Sequence, residues 1–152
     1  MNRDDDSLFG PAPNPLLEAL HDGNVVEALK CLESDVAVNA VDPRPLLGGR
    51  QTALHLAAGA GFLEVVSRLI ERGADLNAPA LGGQTPLWLA ANAGKRDVVR
   101  ALLEAGADPN IECAEGYPPV GRAQASDSET IGLLESFGAV RRRVCNSDKD
   151  AP

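Results

Sequence analysis

Residues 51–77, QTALHLAAGAGFLEVVSRLIERGADLN, return 33 residues later as residues 84–110, QTPLWLAANAGKRDVVRALLEAGADPN, with 16 of the 27 positions identical. A period of this length marks a small supersecondary unit that is copied and stacked. Each copy cannot bury its apolar face alone, so neighbours bury it for one another in a linear array. Such an array has no single central pocket, and the functional question becomes which partner is bound rather than which reaction is run.

Within each copy the pattern predicts a helix, a turn, a second helix and a hairpin. Thr52 and Thr85 are placed as N-caps, whose hydroxyls accept from backbone N–H groups at the start of a helix. Pro86 follows at the first helical position, where its missing N–H costs nothing. First helices are expected over residues 53–60 and 86–93, each stopped by a glycine, Gly61 or Gly94, that takes up the left-handed conformation cheaply. The second helices carry apolar stripes, Val65, Val66, Leu69 and Ile70 in one copy and Val98, Val99, Leu102 and Leu103 in the next. Glu64, Arg68 and Glu71 fall on the solvent side, with Glu64 and Arg68 spaced for an i,i+4 pair. Gly73 and Gly106 end these helices, and Asp75 and Asp108 read as turn residues whose carboxylates accept from nearby backbone. Asn77 and Asn110 read as turn residues as well.

The strings Thr52-Ala53-Leu54-His55-Leu56-Ala57-Ala58 with Gly73-Ala74-Asp75-Leu76-Asn77, and Thr85-Pro86-Leu87-Trp88-Leu89-Ala90-Ala91 with Gly106-Ala107-Asp108-Pro109-Asn110, resemble the ankyrin-repeat signature. The resemblance covers about residues 14–139 and implies an all-α ankyrin-repeat solenoid of four units, helix-turn-helix pairs with projecting β-hairpin loops. The outer two units are degraded caps. The units are expected at about 14–39, 40–77, 78–110 and 111–139 in a domain of residues 14–140. Asn39 lies 38 residues before Asn77 instead of 33, so the first hairpin carries five extra residues within 42–50. At the other end Gly116-Tyr117-Pro118-Pro119-Val120 stands for Gly83-Gln84-Thr85-Pro86-Leu87, and a last helix is expected over residues 129–137. Residues 1–13 and 141–152 are polar and aperiodic, and are expected to be disordered.

Composition narrows the partner. Aromatics are only 3%, so the core must be built from Leu, Val, Ile and Ala. A net charge of −8 repels phosphate backbones, which excludes nucleic acid as a direct partner by non-specific attraction. No run reaches the roughly 18 apolar residues that a bilayer requires. The acidic start of the chain is unlike a secretory signal. A monomeric cytoplasmic protein is expected. Arg141-Arg142-Arg143 either complements the last helix dipole or serves as a nuclear import signal. Cys31, Cys113 and Cys145 lack zinc-site spacing; Cys31 reads as core, and the other two as incidental thiols.

Nothing assembles into a reaction centre. The resemblance gives His55 a structural hydrogen bond to neighbouring backbone, and His21 reads as a surface residue. No nucleophile or carboxylate recurs at a spacing that would serve a base. The glycines match no phosphate-binding spacing. A non-catalytic protein with no cofactor and no metal is expected.

The resemblance also implies a partner surface made of the hairpin tips and the open side of the first helices. On this chain it comprises Pro45, Leu46, Leu47, Arg50 and Gln51 in the second unit, Leu81, Gln84, Trp88 and Asn92 in the third, and Glu115, Tyr117 and Arg122 in the fourth. Leu46, Leu47 and Leu81 either form one apolar patch or, for the long loop, pack on themselves. Trp88 either fills a groove structurally or meets the partner, and Tyr117 either packs beside Pro118-Pro119 or does the same. Arg50 stands where Gly83 predicts Gly, and Ala80 and Cys113 lack the hairpin Asp of the pattern, so hairpin geometry is the least secure part. The expected function is binding of folded partner proteins. The alternatives are a dedicated inhibitor or assembly chaperone of one enzyme or complex, and a transcription-linked regulatory subunit.

Overall fold

Side-chain caps mark where several helices of the array begin. The computed structural model describes residues 14–43, 49–123 and 127–140. Asn14 accepts the Leu16 N–H at 2.9 Å and opens α1 (Pro15–His21), and Asn24 accepts the Glu27 N–H at 3.1 Å and opens α2 (Val25–Glu33). Thr52 precedes α3 (Ala53–Ala60), which is followed by α4 (Leu63–Glu71). Thr85 accepts the Trp88 N–H at 3.2 Å and opens α5 (Pro86–Asn92), followed by α6 (Arg96–Glu104). The last pair is α7 (Pro119–Arg122) and α8 (Ser128–Ser136), the latter capped by Asp127. Gly61 and Gly94 lie at φ 81° and 70°, the left-handed turn between the two helices of a pair.

The helices form two layers. The first helices pack in the order α1, α3, α5, α7 and the second in the order α2, α4, α6, α8, with each pair also packed internally. The array is therefore an all-α repeat solenoid. The apolar stripes face inward as the periodicity requires: Val65, Val66, Leu69, Val99 and Leu102 are wholly buried. Small Ala57, Ala58, Ala90 and Ala91, also wholly buried, let the first helices approach closely. α5 ends one residue before the predicted limit, and α8 sits one residue earlier than expected. Arg68 reaches forward to Glu71 at 3.5 Å rather than back to Glu64.

Two sets of hydrogen bonds order these turns, and the second joins successive units. Asp75 and Asp108 accept the N–H of Asn77 and Asn110 at 3.0 and 2.9 Å, the local turn bonds expected of them. The asparagines reach further. Asn39 Oδ1 accepts the Asp75 N–H at 2.7 Å, Asn77 Oδ1 the Asp108 N–H at 2.9 Å, and Asn110 Oδ1 the Val140 N–H at 2.9 Å. Each is a staple from one unit to the next, not merely a turn residue.

The hairpins close identically despite their different lengths. The N–H groups of Asp42, Ala80 and Cys113 donate to the carbonyls of Gln51, Gln84 and Tyr117 at 2.8, 2.9 and 3.1 Å. The second bond of each turn comes from Arg50, Gly83 or Gly116. Arg50 adopts φ 59°, the same left-handed region as Gly83 and Gly116, so the hairpin survives the missing glycine. The extra residues of the first hairpin thus lie between Asp42 and Gly49. The hairpins are tight turns; the β-pairing among the described residues is a single bridge, Val41 with Thr52.

Three expectations need correction. His21 is not a free surface residue: its Nε2 lies 2.7 Å from Oδ2 of Asp42, which is buried, because the first hairpin folds across the end of α1. Cys113 is buried in the third hairpin, at the position that Asp42 holds in the first. Cys31 is only half-buried at the edge of the core. Cys145, Arg141-Arg142-Arg143 and both terminal segments lie outside the described residues.

Candidate partner-binding surface

One position, the third helical residue of the first helix, shows how the surface is held. In α3 it is His55, 1% exposed. The Thr52 N–H donates to His55 Nδ1 at 3.1 Å, and the Thr52 hydroxyl lies 2.8 Å from the same atom. Because Nδ1 accepts, the ring proton sits on Nε2, which donates to the Gln84 carbonyl at 3.0 Å. One imidazole thus caps its own helix and holds the next hairpin. In α5 the same position is Trp88, and its Nε1–H donates to the Tyr117 carbonyl at 3.1 Å. The indole reproduces the second of these bonds 33 residues along. Trp88 is 4% exposed, which fits the groove-filling alternative.

His55 titrates in a way that ties stability to pH. Burial lowers its pKa, against the opposing pull of the Gln84 and Ala78 carbonyls and of Asp75. The unfolded chain takes its proton near pH 6.5, whereas the folded chain resists it. This contribution to stability is complete above about pH 6.5 and is lost as the pH falls below it. Thermal melts between pH 7.5 and 5.5 are therefore expected to show a falling midpoint in the wild type. His55→Gln, less stable at pH 7.5, is expected to show a shallower fall, since a single proton accounts for at most about 1.4 kcal/mol per pH unit. Equal slopes in the two proteins exclude the assignment. A second lowered group, Asp127, owes its shift first to hydrogen bonds from the Thr130 side chain and backbone, with Arg96 at 3.5 Å adding to it. It belongs to the capping of α8 and to an ion cluster joining Arg96 with Asp127 and Glu129.

The other expected surface residues divide into three groups. Leu81 stands 61% exposed at the tip of the second hairpin, its N–H bonded to the Gly49 carbonyl at 3.0 Å. Arg50, Asn92, Glu115 and Arg122 are exposed. Gln51, Gln84 and Tyr117 are half-buried, and their carbonyls close the hairpins. Pro45, Leu46 and Leu47 lie outside the described residues.

The structure also brings together three residues that the sequence reading considered separately. The Arg122 guanidinium carbon lies 5.2 Å from the Trp88 ring centroid and 5.6 Å from that of Tyr117. Stacking of this kind contributes about 0.5–1 kcal/mol at exposed sites. The half-buried Leu56 and Leu89 of α3 and α5 were read as motif residues and left out of the expected surface, although they sit one residue after the motif His and its Trp replacement. His21 with Asp42 was also missed; the signal was that Asp42 keeps the acid that Ala80 and Cys113 lack.

Among the described residues no cluster of His, Cys, Asp or Glu could hold a metal ion, and no helix is long and apolar enough to cross a membrane.

Comparison with known proteins agrees with this architecture. Over 62 residues the chain is 40% identical to a probable E3 ubiquitin-protein ligase of Oryza sativa subsp. japonica, XBOS33. The match covers 41% of this chain and 11% of that protein, so the likeness concerns a small part of the rice protein. The family model for ankyrin repeats, in three copies, matches residues 13–113. With its stacked helix pairs, closed hairpins and inter-unit staples, the chain belongs to the ankyrin-repeat family, whose units generally mediate protein–protein interactions.

Proposed function

We propose that this protein is a non-catalytic module, residues 14–140, that binds folded partner proteins through its hairpin tips and the open side of its first helices. The observation that carries this reading is Leu81. A leucine 61% exposed at a hairpin tip lies outside the core, and Val41 in the preceding hairpin is 45% exposed as well. Apolar side chains grouped on one exposed face favour contact with another molecule over contact with water. Leu46 and Leu47 of the lengthened hairpin, which lie outside the described residues, are included in the proposed binding set.

Leu81→Lys tests it. The variant is expected to melt within about 2 °C of the wild type, because surface substitutions away from buried features change stability by about 0.5 kcal/mol or less. Affinity purification from the source cells with mass spectrometry is expected to recover a partner with the wild type and to lose it with Leu81→Lys. Recovery at equal strength with both proteins refutes the role of the tips. The same eluate separates the finer alternatives: a stoichiometric complex with one enzyme or assembly intermediate indicates an inhibitor or chaperone, and a transcription complex indicates a regulatory subunit.

A further inference from the structure

One row of equivalent positions crosses all four first helices. The fourth residue after the N-cap is Glu18 in α1, Leu56 in α3, Leu89 in α5 and Arg122 in α7. These helices are packed side by side in that order. The flanking positions in α3 and α5 are buried, whereas Leu56 and Leu89 are half-buried and Glu18 and Arg122 are exposed. The row therefore lies on the side turned away from the second helices, and it reads acid, apolar, apolar, base.

Arg122 is held ready to bind. Its guanidinium lies over the Trp88 and Tyr117 rings, and among the described residues its N–H donors make no hydrogen bond or ion pair. Among the described residues no carboxylate pairs with it, and Glu115 in the neighbouring hairpin forms no ion pair with it. Glu18 is likewise without an ion pair among the described residues. A fork preorganised in this way suits a carboxylate, which it can take through two parallel hydrogen bonds.

The spacing of the row selects the shape of its occupant. Packed helices lie about 8–10 Å apart, so successive positions of the row are separated by about that distance. An α-helix presents side chains on one face every seven residues, about 10.5 Å apart. An extended strand covers the same distance in three residues, which places successive contacts on opposite faces.

Resting on the reading proposed above, we propose that this row binds an amphipathic helix of a partner protein, with a basic side chain over Glu18, apolar side chains on Leu56 and Leu89, and a carboxylate on Arg122. The charged ends then set the direction in which the helix lies.

The probe is a fluorescein-labelled synthetic helix of about 24 residues carrying Lys, Leu, Leu and Glu at heptad spacing, titrated by fluorescence polarisation. Arg122→Glu and Glu18→Lys are each expected to weaken binding about tenfold, and the double variant to restore it as the peptide reverses direction. Glu18 lies two units away from Trp88, so its variant remains informative if Arg122→Glu disturbs the stacked rings. Absence of binding to the wild type, single variants indistinguishable from it, or a double variant that stays weak each overturn the proposal. Arg122→Glu is also tested for capture of the partner recovered through Leu81. Loss of capture supports the row; undiminished capture overturns it while leaving the broader reading intact.

Discussion

Replacing Trp88 with Ala is expected to lower the unfolding free energy by about 3–5 kcal/mol, as removal of a buried Trp does generally. The indole is 4% exposed between the third and fourth units. Its loss removes that packing, leaves the Tyr117 carbonyl without the Nε1–H donor at 3.1 Å, and takes away one of the two rings beneath Arg122. Urea titration followed by circular dichroism measures the effect. Fluorescence cannot follow the variant, because Trp88 is the chain's one tryptophan, but it reports the same region in the wild type. Trp88→His provides the internal comparison. Its Nε2–H can reach the Tyr117 carbonyl as that of His55 reaches the Gln84 carbonyl, so its cost is expected to be clearly smaller than that of the alanine. An alanine variant that melts like the wild type would show that Trp88 does not join the two units.

Leu102→Ala is expected to cost about 2–5 kcal/mol, and Leu69→Ala a similar amount. Both side chains are wholly buried, in α6 and α4, where second helices meet their neighbours on either side. The site cannot collapse easily, because α2, α4, α6 and α8 are packed in series and the asparagine staples tie successive units together. Against a typical domain stability of 5–15 kcal/mol the loss is large. The urea midpoint is expected to fall while the slope of the transition stays constant, if the array unfolds as one unit. An unchanged midpoint in both variants would remove the apolar stripes from the core.

Much of the architecture was legible because it recurs. A capping Thr, a left-handed glycine and an apolar stripe are local devices, and finding each twice at one period locates the helices to within a residue or two. The degraded first unit was readable for the same reason: Asn14, Gly23 and Asn39 keep the punctuation even where the core residues differ. The candidate surface was read less well. Arg122, Trp88 and Tyr117 were all singled out, yet nothing in a linear string shows that a guanidinium lies over two rings from different units. Trp88 was ambiguous because its type suits an interface and a groove equally. Its burial and its bond to the Tyr117 carbonyl fit the groove. His21 looked like an ordinary surface histidine because its partner, Asp42, comes from the next unit across a hairpin.

The linear order of residues was enough to establish a stack of helix pairs, since hydrophobic period and turn chemistry act over a few neighbouring residues and repeat with the chain. Folding in three dimensions settled what lies between units: the asparagine staples, the His55 and Trp88 bridges to the following hairpins, and the row from Glu18 to Arg122. The staples and bridges join a side chain of one unit to the backbone of the next, 29 to 36 residues away, and only the stacking of one unit on the next brings them within reach.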